Sequence, residues 1–177
     1  MRVHLIRHPD FPCEAVRAVA VDVSYAGASA LAVRYVVEGD IDAVALPPPA
    51  PPVRTDDLWR HTCLEAFAAD AAGRGYTEYN LAPSTAWAAY RFDGYRRGMR
   101  AAEIAPPAIE VDRSGGRLEL RARLELAEAT GLLSLAAVIE ETSGRISYWA
   151  VRHPAGSRPD FHHADGFAVE LPAVSAP

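Results

Sequence analysis

Alternation of apolar and polar residues with a period of two recurs along most of this chain. Over 117–126, Leu118, Leu120, Ala122, Leu124 and Leu126 share one face, while Glu119, Arg121, Arg123 and Glu125 share the other. That is the pattern of a strand with one face buried and one in water. Val19, Val21 and Val23 give 15–25 the same rhythm, and 31–37 (LAVRYVV) follows after a connection long enough for a hairpin. Further strands are predicted over 62–67, 76–81, 87–92, 109–112, 133–140, 145–151 and 166–171. Ser114-Gly115-Gly116 and Thr142-Ser143-Gly144 supply hairpin turns between neighbouring runs. Alanine is abundant, and 64–72 and 131–141 would be helical on propensity alone. The regular turns and period-two stretches outweigh that preference. About ten short strands predict an all-β, antiparallel β-sandwich.

One segment breaks the pattern. Residues 46–53, LPPPAPPV, lack the amide hydrogens that a helix or central strand needs, and read as a polyproline-like surface connector. Neither side of it could bury a normal core alone, so 1–177 reads as one domain. A formal net charge of −5 argues against a nucleic-acid or anionic-membrane binder. All 18 basic residues are arginine, which excludes Schiff-base chemistry and a P-loop lysine. The N-terminus lacks the apolar region of an export signal, and no run approaches the roughly 18 apolar residues of a membrane helix. With only Cys13 and Cys63, the expectation is two reduced thiols in a cytoplasmic protein. Oligomeric state is left open.

Candidate chemistry concentrates in 58–99, where Trp59, Glu65, Tyr76, Glu78, Asn80, Trp87, Tyr90 and Arg91 occur together. Tyr76, Glu78 and Asn80 fall on one face of their strand. Glu65 sits among Cys63, Leu64, Ala66 and Phe67, where a carboxylate needs a partner. Two readings follow. Either Glu65 and Arg91 form a buried ion pair with Trp87 filling the core, or these residues line a cleft. In that cleft, tryptophan faces would take the apolar side of a ligand, and Glu65, Asn80 and Arg91 would hydrogen-bond its rim. A second cluster, Asp160-Phe161-His162-His163-Ala164-Asp165, reads as a hydrogen-bonded loop or as a source of a ligand-facing histidine. Adjacent histidines on an extended segment point to opposite faces, so they are a weak metal signal, and no metal site is expected. GxSxG, CxxC, HExxH and P-loop motifs are missing from the sequence.

The blocks DLWRHTCLEAF, YTEYNLAPSTAWAAYRFDGYRRGM, AVIEETSGRISYWAVRHP and PDFHHADGF resemble those of DOMON-like domains. They are most similar to the bacterial subgroup labelled after UDP-N-acetylenolpyruvoylglucosamine reductase. The resemblance runs from about His8 to Leu171 and implies a β-sandwich related to family 9 carbohydrate-binding modules and to haem- or sugar-binding DOMON domains. The reductase label belongs to a flavoenzyme of another fold, and this chain carries no flavin-binding sequence. Trp59 and Glu65 match the tryptophan–glutamate spacing of the carbohydrate modules. Arg91 is a candidate for their sugar-contacting arginine, and His162 and His163 stand where those modules have a second tryptophan.

The expected function is therefore a non-enzymatic domain that binds a small polar molecule, a sugar or sugar derivative, through Trp59, Glu65, Asn80, Trp87, Arg91, His162 and His163. Two alternatives stand beside it. The resemblance implies a haem b electron-transfer domain with Met99 and His162 or His163 as ligands, and an aromatic cleft or sheet edge able to receive a partner gives a protein-interaction domain. No catalytic residue is assigned.

Overall fold

The computed structural model describes residues 1–171 apart from 28, 71, 127–129 and 131. Twelve strands form among the described residues. They are β1 (Arg2–Arg7), β2 (Val16–Tyr25), β3 (Ala30–Gly39), β4 (Cys63–Ala69), β5 (Tyr76–Leu81) and β6 (Trp87–Phe92), then β7 (Arg100–Ala101), β8 (Ala108–Ser114), β9 (Arg117–Glu125), β10 (Leu132–Glu140), β11 (Ile146–Ala150) and β12 (Val169–Glu170). None of the described residues of 64–72 and 131–141 is helical; tertiary pairing overrides alanine's propensity there. Among the described residues the only helical pieces are three single 3-10 turns.

All strand pairs are antiparallel and belong to one curled sheet folded into a β-sandwich. Its first layer runs β1-β2-β3-β9-β8 and its second runs β7-β6-β5-β4-β10-β11-β1, with β12 beside the start of β10. β1 belongs to both layers. Arg2 to Leu5 pair with β2, and Ile6 and Arg7 pair with β11. The sequence pattern predicts no strand there, because only Val3 and Leu5 mark its inward side, too short an alternation to register. The predicted strand at 117–126 behaves as its pattern demands. Leu118, Leu120, Ala122 and Leu124 enter the core, while Glu119 lies against Arg34, Arg117 and Arg121 on the outer face. Gly115 and Gly116, at φ +54° and +77°, make the tight turn from β8 to β9 with the backbone that a two-residue hairpin requires.

The core between the layers takes Leu31, Val33, Tyr35 and Val37 from β3 and packs them with Leu64, Tyr79, Leu81, Trp87 and Leu135 from the second layer. Two buried tyrosines clasp the layers in opposite senses. Tyr35 donates its hydroxyl to the Glu65 carbonyl at 2.6 Å, and Tyr79 donates to the Glu125 carbonyl at 2.6 Å. The proline-rich segment is without regular structure and leads from the first layer to the second, its Ala50 amide bonding to the Ser84 carbonyl.

The second layer differs from the first in having a covered outer face. Phe67, Tyr76, Tyr90, Phe92, Val138 and Phe161 form a separate apolar cluster there. Consequently β4, β5 and β6 are buried almost without a break, and their sequences lose the alternation that marks a half-exposed strand.

Replacing Tyr35 with Phe removes one inter-layer hydrogen bond while keeping the ring. The expected loss is about 1 kcal/mol of stability. It should be read as a lower urea midpoint at unchanged slope.

Candidate functional site

The outer face of the second layer holds a cavity of about 720 Å³, a volume suited to a small molecule. Strand parity builds its floor. Cys63, Glu65 and Phe67 of β4, Tyr76, Glu78 and Asn80 of β5, and Tyr90 and Phe92 of β6 occupy this face, because the intervening Leu64, Ala66, Tyr79, Leu81 and Ala89 belong to the central core. Glu65 is flanked across the sheet by Asn80 and Ala136. Three loops raise the walls. One carries Asp57 and Trp59, the second Arg96 and Met99, and the third Arg158, Phe161 and His162. Phe11 and Tyr148 complete the rim.

Two wall loops hold non-glycine residues in the left-handed region: Asp57 at φ +61° and Arg96 at φ +51°. Such backbone is uncommon and costs free energy, and it concentrates where a site has to be shaped. Gly98, at φ +66°, lets the second loop close, since a Cβ there would lie 2.3 Å from the Asp93 carboxylate. Arg96 is then fixed by Asp160 at 2.9 Å, which also accepts the Tyr95 hydroxyl at 2.6 Å. These bonds tie the second loop to the third.

Glu65 and Glu78 dominate the electrostatics. Glu65 is 3% exposed, and among the described residues its Oε1 has no hydrogen-bond partner. Burial, then the nearby Glu78 charge, pushes its carboxyl well above the ordinary range. Burial raises the Glu78 carboxyl as well, opposed by the Asn80 amide, which donates to Oε1 at 2.6 Å, and by the Arg96 charge. His162 moves the other way. Burial, then the Arg96 charge, lowers it to about 4, so the imidazole is neutral at ordinary pH. Tyr76 takes an N–H from Arg96 at 3.3 Å and lies 2.7 Å from His162 Nδ1. With Tyr76 donating to Nδ1, the His162 proton resides on Nε2, which faces Glu78 at 3.8 Å.

The sequence-predicted residues divide between several places. Trp59, Glu65 and His162 line the cavity. Asn80 shares the face of the floor beside Glu65 without lining the cavity, and holds Glu78. Trp87 and Arg91 correct the expectation of a shared cleft. Trp87 is on the core side of β6, with the Arg54 guanidinium 4.4 Å from its ring centre, and Arg91 pairs with Asp70 at 2.9 Å. Both occupy odd positions of β6, so the pleat sends them away from Tyr90. Arg91 therefore does not partner Glu65 either. His163 is also corrected: its Nδ1 accepts the Asp165 amide and caps a turn instead of lining the cavity. The cavity also takes Glu78, Tyr90 and Phe161, which the sequence clusters contain without assigning them to the site, and Arg96, which lies outside those assignments altogether. Glu78 shares a face with Asn80 and was open to detection by parity. The loop residues left no such signal.

Met99 and His162 line the same cavity, but they do not fit a haem iron. One His162 nitrogen is committed to Tyr76 and the other faces Glu78, and two carboxyls occupy a floor where a porphyrin needs apolar contact. Among the described residues, no three His, Cys, Asp or Glu side chains are grouped to hold a metal ion.

No family model and no curated protein matches the sequence. Among solved structures, a candidate carbohydrate-binding protein from Bacteroides uniformis superposes with a TM-score of 0.68 at 13% identity. The match covers 94% of this chain and 83% of that one. The two chains share a fold. At this identity the likeness speaks to the β-sandwich and leaves the ligand to the site itself.

The site's charges imply opposing pH dependences. A carboxyl raised above its ordinary 4.5 binds its proton more tightly in the folded chain. Its contribution to stability is therefore lost as pH rises from that value through the raised one. His162 falls from 6.5 to about 4 on folding, so its contribution is lost as pH drops between those values. In urea unfolding, Glu65→Gln should gain stability relative to the parent as pH rises from about 5 to about 8. A difference that stays flat over this range would show that the Glu65 carboxyl is not raised.

Proposed function

We propose that this protein is a binding module for a small polar ligand of the sugar type, held in the cavity on the outer face of the second layer. The observation that carries this reading is Glu65: a buried carboxyl with an unpartnered oxygen on the floor of an aromatic-walled cavity. A buried polar atom without a partner costs free energy, and a ligand that hydrogen-bonds to it recovers that cost. Trp59 is 47% exposed at the rim and offers a ring to the apolar face of a pyranose. Glu65 and Glu78 offer acceptors to its hydroxyls. The fold shared with a candidate carbohydrate-binding protein supports the same reading, as does the Trp59–Glu65 spacing that resembles that of family 9 carbohydrate-binding modules.

A thermal-shift series with mono- and disaccharides tests it. A ligand present at 100 times its Kd adds about 2.7 kcal/mol to the stability of the folded form, an easily read rise in Tm. Trp59→Ala should abolish that rise while barely changing the Tm of the free protein, because the ring is half in solvent. Undiminished binding by Trp59→Ala would remove Trp59 from the site, and silence across the series would remove the sugar reading.

A further inference from the structure

The floor of the cavity is dominated by two carboxyls, Glu65 and Glu78, with no cationic side chain hydrogen-bonded to either among the described residues. Asn80 spends its amide on Glu78 Oε1. Arg96 is held by Asp160, and Arg158 stands exposed at the rim. Around this floor stand the rings of Trp59, Tyr90, Phe92 and Phe161. Carboxylates walled by aromatic rings form a surround for a cation, because aromatic rings attract cations and desolvation strengthens the attraction. A hydroxyl brings one donor to this pair of carboxyls. An ammonium brings three, together with the charge that buried carboxylates lack.

We infer that the group seated on Glu65 and Glu78 is a protonated amine, so that the ligand is an amino sugar with a free ammonium. This rests on the sugar-binding reading above and narrows it. In the free protein the pair keeps a proton, because two close carboxyls in an apolar setting resist full ionisation. Arrival of the ammonium supplies the compensating charge and releases that proton to solvent.

The titratable and charged groups facing the pair are Cys63 on β4, Tyr76 on β5, Tyr90 on β6, Tyr148 on β11, and Asp57, Arg96, Arg158 and His162 from the loops; Tyr35 approaches from the opposite layer. The thiol and all four phenols are pushed up, chiefly by burial. Arg96 stays cationic, and His162 is neutral down to about 4. The carboxyl pair is therefore the part of this group whose charge changes on raising the pH above the ordinary carboxylate range.

The test is calorimetric titration of the full chain with D-glucosamine, N-acetyl-D-glucosamine and D-glucose, each as monomer and as β-1,4 dimer. The expected result is that the free amines bind at least about tenfold tighter than the acetylated and neutral sugars. Their affinity should rise from about pH 5 to about pH 7, with net proton release detected by comparing buffers of different ionisation enthalpy. Glu65→Gln, isosteric and checked for folding by thermal unfolding, should bring the three classes to within about twofold of one another. His163→Ala, outside the cavity, should leave the preference intact. If all three classes bind alike in the parent protein, the ammonium inference is overturned and the sugar site stands. If none of the sugars binds, both readings fall.

Discussion

A sheet withdrawn from water on both faces must satisfy each polar side chain it carries or bear the desolvation cost of leaving one bare. Strands β4, β5 and β6 are in that position, with the central core on one side and an aromatic cluster on the other. Most of their polar groups are accounted for: Asn80 is bonded to Glu78, Arg91 to Asp70, and Tyr79 to the Glu125 carbonyl. Among the described residues of these strands, Glu65 Oε1 and Trp87 Nε1 are left without a partner, and of the two only Glu65 lines the cavity. The candidate site is the region around that unmet requirement.

What surrounds Glu65 is braced from both sides. Behind it, Tyr35 spans the core and anchors the Glu65 carbonyl, so the carboxyl extends from a backbone fixed by the opposite layer. In front, Asp160 gathers Tyr95 and Arg96, and Tyr76 joins the Arg96 amide to His162. These contacts convert two surface loops into walls with defined positions. They also hold Arg96 close enough to favour ionisation of Glu78 and to disfavour that of His162. A cavity built this way is largely preformed, which keeps the ordering cost of binding small.

Much of the architecture was legible in the chain. The alternation over 117–126 gave β9 its faces, Gly115-Gly116 gave the turn before it, and the prolines gave the irregular connector. In the first layer one face meets the core and the other meets solvent, so hydrophobic pattern and geometry coincide there. Glu65 stood out for the same kind of reason, as a carboxylate among apolar neighbours. β1 was missed because its two inward residues are too few to show a period, and its division between the layers is a matter of closure.

The sequence by itself determined the all-β sandwich, its turns, and the presence of an anomalous buried glutamate with Trp59 six residues before it. Only the tertiary structure decided which face of the second layer each side chain occupies. In β6 every residue but Arg91 is buried, so no polarity contrast tells Trp87 and Arg91 on one side from Tyr90 and Phe92 on the other. The tertiary structure also brought Arg96, Phe161 and His162 over Glu65 and Glu78. Contacts between loops distant in sequence depend on chain closure and on residues held at positive φ, and local periodicity carries neither.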